Sequence, residues 1–329
     1  MEDIILLSHG NGGENTRKLV EEILGTLGND ILNELLDAAV LPISGKIAFT
    51  TDSFIVSPIF FRGGDIGSLS VYGTVNDLSM VGATPLYLSL SFIIEEGFTF
   101  SDFRKILLSI KEGAEVSNVR VVTGDTKVVE RGKGDGIFIN TSGVGIIKNG
   151  RDWRKREIKD GDLVIINGGI GEHGISVMLE RLGIKAGKSD LAPLNSLVLP
   201  LLDRTNGIKF MRDPTRGGVA TVLNEISRKY GVGIEVYEDK LPLKEWVKES
   251  AEILGIDPLY AANEGKVLMI VDSKDADVVL NFLHEKPDGY DASIIGKVTK
   301  SSNRVYLVTH IGTKRILDTL KKDILPRIC

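Results

Sequence analysis

Apolar and polar positions along the chain alternate between two periods, one typical of helices and one typical of strands. A first helix is predicted between an Asn15 cap and a Gly28 stop, because apolar residues recur there every three or four positions. Further helices are predicted over residues 66–81, 102–116, 174–182, 217–230, 243–254 and 275–285. Strands are predicted over residues 47–56, 86–94, 119–123, 136–147, 162–167, 232–237, 266–271, 292–298 and 304–309. The polar stretch 148–159 separates two such halves and is the predicted domain boundary.

The end of the chain has its own pattern. A last helix is predicted from a Thr313 cap, with one apolar face formed by Ile316, Leu317, Leu320 and Ile324. Pro326 ends this helix, so residues 327–329 are predicted to extend beyond the packed body as a tail. Cys329 is the only cysteine in the chain. A terminal thiol of this kind indicates a carried chemical group, with an ordinary frayed terminus as the alternative.

Composition excludes several classes of protein. The 40 Lys and Arg residues against 45 Asp and Glu residues give a net charge of −5, which argues against a nucleic-acid binder. No apolar run approaches the ~18–20 residues of a membrane span. The start is acidic where a secretory signal would be basic, and one cysteine forms no internal disulfide. These features predict a cytoplasmic protein that binds neither nucleic acid nor membrane.

One motif favours a different function. Residues 169–174 (GIGEHG) match the glycine pattern of a dinucleotide-binding loop that follows a strand and opens a helix. The acidic residue expected about twenty positions further on is missing, since Asp190 lies in a predicted loop. A tight strand-to-helix turn is therefore the preferred interpretation, and a nicotinamide-dependent dehydrogenase is the alternative. No P-loop motif occurs, and the four histidines show no metal-ligand spacing.

Acidic residues set among small polar ones are the main candidate chemistry. They occur in the segments 50–53 (TTDS), 74–78 (TVNDL), 123–127 (TGDTK), 212–218 (RDPTRGG) and 263–266 (NEGK). Hard oxygen ligands from several elements suit Mg²⁺, which binds through a few carboxylates together with substrate phosphates. Each acid alone also fits ordinary turn and cap chemistry. Only their number favours a nucleotide–metal site.

These motifs, with the glycine loop 9–13 (HGNGG) and the ending 326–329 (PRIC), extend over nearly the whole chain. In this combination the chain resembles the superfamily of aminoimidazole ribonucleotide synthetase and selenophosphate synthetase. The terminal PRIC is similar to the signature of the hydrogenase-maturation family within it. The glycine loop lacks the cysteine or selenocysteine usual in selenophosphate synthetase.

The resemblance implies a two-domain α+β fold that forms a homodimer through the sheets of the N-terminal domains. The implied domains are residues 1–155, which bind ATP and dimerise, residues 156–312, and a C-terminal helix with a flexible cysteine-bearing tail at 313–329. It also implies that ATP and Mg²⁺ are bound, with Asp52, Asp77 and Asp125 on the metal side. The remaining implied cofactor-binding residues are Gly12, Gly13, Asn76, Gly124 and Asn263.

The implied activity is that of an ATP-dependent carbamoyl dehydratase. Cys329 would be S-carbamoylated by the carbamoyltransferase HypF, and the carbamoyl group would then be dehydrated to an S-cyanide. That cyanide would pass to iron on the HypC–HypD scaffold and become a ligand in [NiFe]-hydrogenase. Glu264 is the first candidate for the base and Lys127 for a second proton acceptor or phosphoryl-binding charge. The alternatives are another ATP-dependent enzyme of the superfamily acting on a small substrate, and a non-catalytic partner that docks its tail.

Overall fold

The structure, a computed structural model, describes residues 4–10, 13–320 and 327–329. Its helices are α1 (Glu14–Leu27), α2 (Ile66–Met80), α3 (Phe100–Ser117), α4 (Glu172–Arg181), α5 (Asn195–Arg204), α6 (Gly218–Tyr230), α7 (Glu245–Leu254) and α8 (Ala276–His284). Its strands are β1 (Lys46–Phe54), β2 (Phe60–Phe61), β3 (Gly64–Asp65), β4 (Ala83–Glu95), β5 (Arg120–Val129), β6 (Ile137–Ile147), β7 (Leu163–Ile166), β8 (Ile208–Arg212), β9 (Gly233–Tyr237), β10 (Leu268–Val271), β11 (Ser293–Thr299), β12 (Val305–Val308) and β13 (Lys314–Ile316).

The N-terminal half is built on a four-stranded sheet in the order β1-β6-β4-β5. In one row across it, Asp52 pairs with Thr141, Thr141 with Leu90, and Leu90 with Gly124. Helix α2 packs on one face of the sheet and α3 packs on α2. The other face is open, since Phe49 is 68% exposed and Ile93 is 45% exposed. Exposed apolar side chains on one face are typical of a surface that packs against a partner.

Helix α2 is buried on nearly all sides because it also contacts α5 and β8 of the C-terminal half. Its start is fixed by a capping box, in which the Asp65 side chain accepts from Ser68 N and the Ser68 hydroxyl accepts from Asp65 N. A Cβ at Gly73 would lie 2.9 Å from the Phe54 ring, so glycine allows β1 to approach the helix closely. This approach brings the polar end of α2 against β1.

The C-terminal half is built on a seven-stranded sheet in the order β13-β12-β9-β11-β7-β10-β8. Only β9 and β12 pair in parallel, and β7 has antiparallel neighbours on both sides. A dinucleotide-binding fold requires a parallel sheet at the strand before its glycine loop, so the dehydrogenase alternative does not fit. Strands β7 and β10 are almost wholly buried in the core of this half.

The polar stretch between β6 and β7 ties the two halves together. The buried Arg151 guanidinium donates to Asp203 at 2.7 Å and to the Thr84 hydroxyl at 3.0 Å, one from each half. Trp153 Nε1 donates to the Met80 carbonyl at 2.8 Å.

None of the helices in the described part of the chain is both long and apolar enough to span a membrane.

Most of the predicted elements are present, with three corrections. Helix α1 begins at Glu14 after a Gly13 N-cap, so Asn15 lies inside its first turn. Helix α5 and strands β2, β3 and β8 were not predicted. The helix predicted from Thr313 is wrong for residues 314–316, which pair with β12 as a strand and leave Ile316 half exposed. Ile324, on the predicted apolar face, lies outside the described residues.

Candidate active site

A polar cavity of about 240 Å³ lies between the two halves. Strand β1 and helix α2 supply one wall, and the loops after β8 and before β10 supply the other. Its lining residues are Thr51, Asp52, Phe54, Gly73, Asp77, Arg212, Asp213, Thr215, Arg216, Glu264 and Cys329. Four predicted site residues, Asp52, Asp77, Glu264 and Cys329, therefore meet in one place although they come from distant parts of the sequence.

Asp52 and Asp77 face each other across the contact between β1 and α2. The Thr50 hydroxyl donates to Asp77 Oδ2 at 2.7 Å, and Ser53 N donates to Asp52 Oδ1 at 2.8 Å. Burial raises the pKa of both carboxyls, and the Asp52 charge raises the pKa of Asp77 further. The pair is therefore short of positive charge, as expected for carboxylates that share a cation.

The loop after β8 brings a third carboxyl, Asp213, which the sequence analysis did not select. Burial, and then the charge of Asp77, raise its pKa to about 7. Arg212 and Arg216 flank it in the cavity lining, and Arg212 also forms an ion pair with Glu225. The signal for Asp213 was present in the segment RDPTR, where the acid lies between two arginines.

Glu264 is buried at the back of the cavity. Its N–H donates to Asp190 Oδ1 at 3.2 Å, and its carbonyl accepts from Asn76 Nδ2 at 3.1 Å. Its carboxyl Oε1 has no hydrogen-bond partner among the described residues. Burial, followed by the charges of Asp213 and Asp190, raises its pKa well above the ordinary value. A carboxyl in this environment accepts a proton readily.

The thiol-bearing end of the chain lies against this cavity. Cys329 contributes to the lining, and the side chain of Ile328 is 2% exposed within the core of the N-terminal half. The prediction that residues 327–329 extend beyond the packed body is therefore wrong in this structure. The tail is hydrogen-bonded to the main chain of residues 55–57, where Ser57 N donates to the Arg327 carbonyl at 3.1 Å.

Asn76 and Asn263, predicted to bind cofactor, support the cavity walls in this structure. The Asn76 amide donates to the carbonyls of Ala192 and Glu264, and its oxygen accepts from Leu194 N. The Asn263 amide nitrogen is also hydrogen-bonded to main chain, and its oxygen accepts from Gly171 N at 2.7 Å. Both side chains are buried, and neither is among the residues that line the cavity.

Asp125 and Lys127 do not lie in the cavity. They form an ion pair on β5, with Lys127 Nζ 2.6 Å from both carboxylate oxygens, and the lysine lowers the pKa of Asp125. Strand β5 is at the opposite edge of the sheet from β1, three strand spacings or about 14 Å away. Asp125 pairs with Ser91 and so faces the open side of the sheet, whereas Asp52 faces α2.

The predicted glycines have separate roles. A Cβ at Gly124 would lie 2.1 Å from the Leu90 carbonyl oxygen, so glycine is required by the contact between β4 and β5. Gly13 precedes α1, and a Cβ added there would meet no other atom within 4 Å. Gly12 lies outside the described residues. Gly171, with φ of 81°, makes the strand-to-helix turn before α4 that the sequence analysis preferred over dinucleotide binding.

Comparison with known proteins agrees with this architecture. Models described as AIR synthase related protein, N-terminal domain and C-terminal domain, match residues 36–147 and 159–308. Carbamoyl dehydratase HypE from Rhizobium leguminosarum bv. viciae is 45% identical over 98% of this chain and 94% of its own length.

Solved structures are similar over the same extent. The hydrogenase maturation protein HypE in complex with ATP is 41% identical, with a TM-score of 0.95 over 98% of this chain and 99% of that one. A chain of a HypE–HypF complex is 47% identical, with a TM-score of 0.80 over 94% of this chain and 100% of that one.

Fold and sequence thus define a two-domain α+β protein of the AIR synthase-related class. Within that class the chain belongs to the HypE family of carbamoyl dehydratases, which are enzymes of hydrogenase maturation.

Proposed function

We propose that this enzyme uses ATP to dehydrate a carbamoyl group carried on the Cys329 sulfur, which yields a thiocyanate. The observation that carries the proposal is the meeting of Cys329 with Asp52, Asp77, Asp213 and Glu264 in one cavity. The similarity to a HypE protein crystallised with ATP supports the choice of nucleotide. Neither a small-substrate enzyme of the class nor a passive docking partner explains a terminal thiol placed among these carboxyls.

The chemistry begins with a poor leaving group, because the carbamoyl oxygen leaves only after activation. Transfer of the γ-phosphoryl group of ATP to that oxygen converts it into a phosphate and releases ADP and one proton from nitrogen. Loss of the second nitrogen proton then expels inorganic phosphate and forms the C≡N bond. Glu264, at the back of the cavity with an unpartnered oxygen, is our candidate for the base that takes a proton from nitrogen. Arg212 and Arg216 supply positive charge for the phosphoryl oxygens.

Mg²⁺ fits the acidic side of the cavity only together with phosphate. Among the described residues, no group of three or more His, Cys, Asp or Glu side chains is close enough to hold a metal by itself. Asp52 and Asp77 provide a pair of hard oxygen ligands, the number that Mg²⁺ uses when substrate phosphates complete its shell. When bound, the ion would neutralise charge on the transferred phosphoryl group.

The position of Asp125 supports a homodimer with composite sites. Within one protomer Asp125 and Lys127 cannot share a site with Asp52, since they face the other side of the sheet. A second copy packed on the open face around Phe49 and Ile93 would cover that apolar surface. In that arrangement the Asp125–Lys127 pair, which faces the open side of the sheet, would lie at the interface between the two protomers. We therefore keep Asp125 and Lys127 as site residues that act across the dimer.

The terminal position of the carrier supports a sequence of partners. A carbamoyltransferase such as HypF must load the thiol, and similarity to a HypE chain in a HypE–HypF complex supports that partner. The cyanide product must then reach an iron acceptor, for which we propose the HypC–HypD scaffold. Residues 327–329 are held largely through main-chain hydrogen bonds, which allows the tail to detach and present the same thiol to a partner.

An isotope experiment tests the phosphorylation step. Cys329 would be S-carbamoylated with ¹⁸O in the carbamoyl oxygen and then incubated with MgATP. We expect the released inorganic phosphate to carry that ¹⁸O atom, since the C–O bond breaks after the oxygen has been phosphorylated. Inorganic phosphate without the label, formed together with thiocyanate, would show that ATP does not activate this oxygen.

A further inference from the structure

The last three residues of the chain lie between two parts of the protein and hydrogen-bond to both. The main-chain oxygens of Arg327 and Cys329 accept from Ser57 N at 3.1 Å and Ile55 N at 3.4 Å. The carbonyl of Ile328 is bonded on the other side of the tail. There it lies 2.9 Å from Nε2 of His173. His173 thus meets a main-chain group immediately before the cysteine.

The contacts of His173 define its protonation. A carbonyl oxygen only accepts, so Nε2 must carry a hydrogen and donate it to Ile328. The Ser189 hydroxyl, 2.8 Å from Nδ1, donates to that nitrogen when the ring is neutral. Burial lowers the pKa of His173, which keeps the ring neutral. The edge of the Phe61 ring packs against the imidazole at 5.4 Å between centroids, so its orientation is fixed on several sides.

Two further contacts hold the tail in place. Arg181 donates to the carbonyls of both Ser57 and Arg327, which ties the tail to the segment it pairs with. The Ile328 side chain is buried in the core of the N-terminal half. Main chain and Ile328 are therefore held, and the Cys329 side chain lines the cavity.

We infer that His173 is a positioning residue for the reaction, which holds the Cys329 end of the tail at the cavity by donating Nε2–H to the Ile328 carbonyl. The role of His173 in the reaction rests on the proposed function. The hydrogen bond by which it holds the tail does not depend on ATP or on a carbamoyl group. His173 is not among the residues that line the cavity, and its hydrogen bond to the tail is to the main chain of Ile328, so it acts through that main chain.

The test uses the single thiol of the full-length chain. Cys329 is modified with a maleimide that carries a polyethylene glycol chain, which is too large to enter the cavity, so the rate reports release of the tail. His173→Leu removes the donor and leaves the Ile328 carbonyl unpaired, and we expect modification about tenfold faster than in the unchanged protein. His173→Gln places an amide N–H near the position of Nε2, and we expect it to restore the rate to within about threefold of the unchanged protein.

Ser176→Ala is the matched control. Ser176 lies on the same helix, is also fully buried, and has a hydroxyl without a partner among the described residues. We expect it to modify at the unchanged rate. Modification of His173→Leu at the unchanged rate, or equal acceleration in His173→Gln and His173→Leu, would overturn the inference.

Ser189 provides a second test, since it acts on the tail through the ring. Ser189→Ala should accelerate modification less than His173→Leu does, and it should add nothing in the His173→Leu background. Full additivity of the two substitutions would contradict a shared route through the imidazole.

The contribution of His173 to the reaction is tested separately, by single-turnover measurements on the carbamoylated protein. We expect His173→Leu to lower the rate of ATP-driven dehydration while its dissociation constant for ATP stays unchanged, and His173→Gln to recover the rate. A loss of ATP affinity in parallel with the rate would indicate a merely structural role. Absence of dehydration in the unchanged protein would refute the proposed function. The modification assay would still test whether His173 holds the tail at the cavity.

Discussion

The Glu264 carboxyl is buried near four aspartates whose charges raise its pKa, and its Oε1 lacks a hydrogen-bond partner among the described residues. An arrangement of this kind destabilises the ionised form, and proteins retain such groups where they are needed for proton transfer. We therefore expect Glu264→Gln to bind ATP normally and to leave the carbamoyl group on Cys329 intact, with dehydration slowed by at least about 100-fold. The measurement is the single-turnover rate followed by mass.

Glu249→Gln is the control, because Glu249 is an exposed glutamate on α7, away from the cavity. It should dehydrate at the unchanged rate. Dehydration by Glu264→Gln at a similar rate would remove Glu264 from the mechanism.

His173 predicts a dependence of stability on pH. The unfolded chain protonates this residue near pH 6.5, whereas the buried ring takes up a proton only at lower pH, although Asp190 partly offsets the effect of burial. Between these values the unfolded state binds more protons, so the free energy of unfolding decreases as the pH falls. Relative to His173→Gln, the unchanged protein should lose up to about 1.4 kcal/mol per pH unit below about pH 6.5. Denaturant titrations at several pH values measure this, and parallel curves for the two proteins would contradict it.

At the residue level, local motifs selected some of the residues that line the cavity, but the predicted Asp125 lies outside it and the lining residue Asp213 was not selected. Asp52, Asp77, Glu264 and Cys329 were predicted and lie in one cavity. Asn76 and Asn263 lie next to acids in the same motifs, but their amides pair with main chain from other parts of the chain. Such pairing depends on tertiary packing, which a local motif does not reveal.

At the level of elements, the pattern predicted most strands and amphipathic helices correctly. It failed where pairing with another part of the chain determines the secondary structure. The apolar spacing at 316–324 suits a helix, yet residues 314–316 gain a strand partner in β12, as propensity often yields to context. Helix α5 was missed because it contains Pro200. The docked tail could not be predicted, because its seat is formed by segments more than 140 residues away in sequence.

The open face of the four-stranded sheet carries a prediction about assembly. Phe49→Glu places a charge on that face and should raise the dimer dissociation constant by about 100-fold without unfolding the protomer. Sedimentation at several concentrations measures the change. Ile253→Glu is the control, since Ile253 is also apolar and 79% exposed but lies on α7. Equal behaviour of both variants would exclude this face as the interface.

At the level of the whole molecule, the separation of Asp52 from Asp125 predicts sites shared between protomers. Asp52→Asn and Asp125→Asn should each be inactive as homodimers. Coexpressed, they should form heterodimers in which one of two sites has both aspartates, and recover about a quarter of the unchanged activity.

Asp52→Asn coexpressed with Asp77→Asn is the matched control. These two residues face each other within one protomer, so each site of the heterodimer lacks one of them. Recovery in this control, or none with Asp125→Asn, would contradict a composite site.

We propose that the cavity dehydrates a carbamoyl group on Cys329 at the expense of ATP. The mass of the C-terminal peptide after S-carbamoylation, measured before and after addition of MgATP, tests this reaction. We expect a loss of one water from that peptide that requires ATP. A carbamoyl mass that stays unchanged while ATP is bound would contradict it.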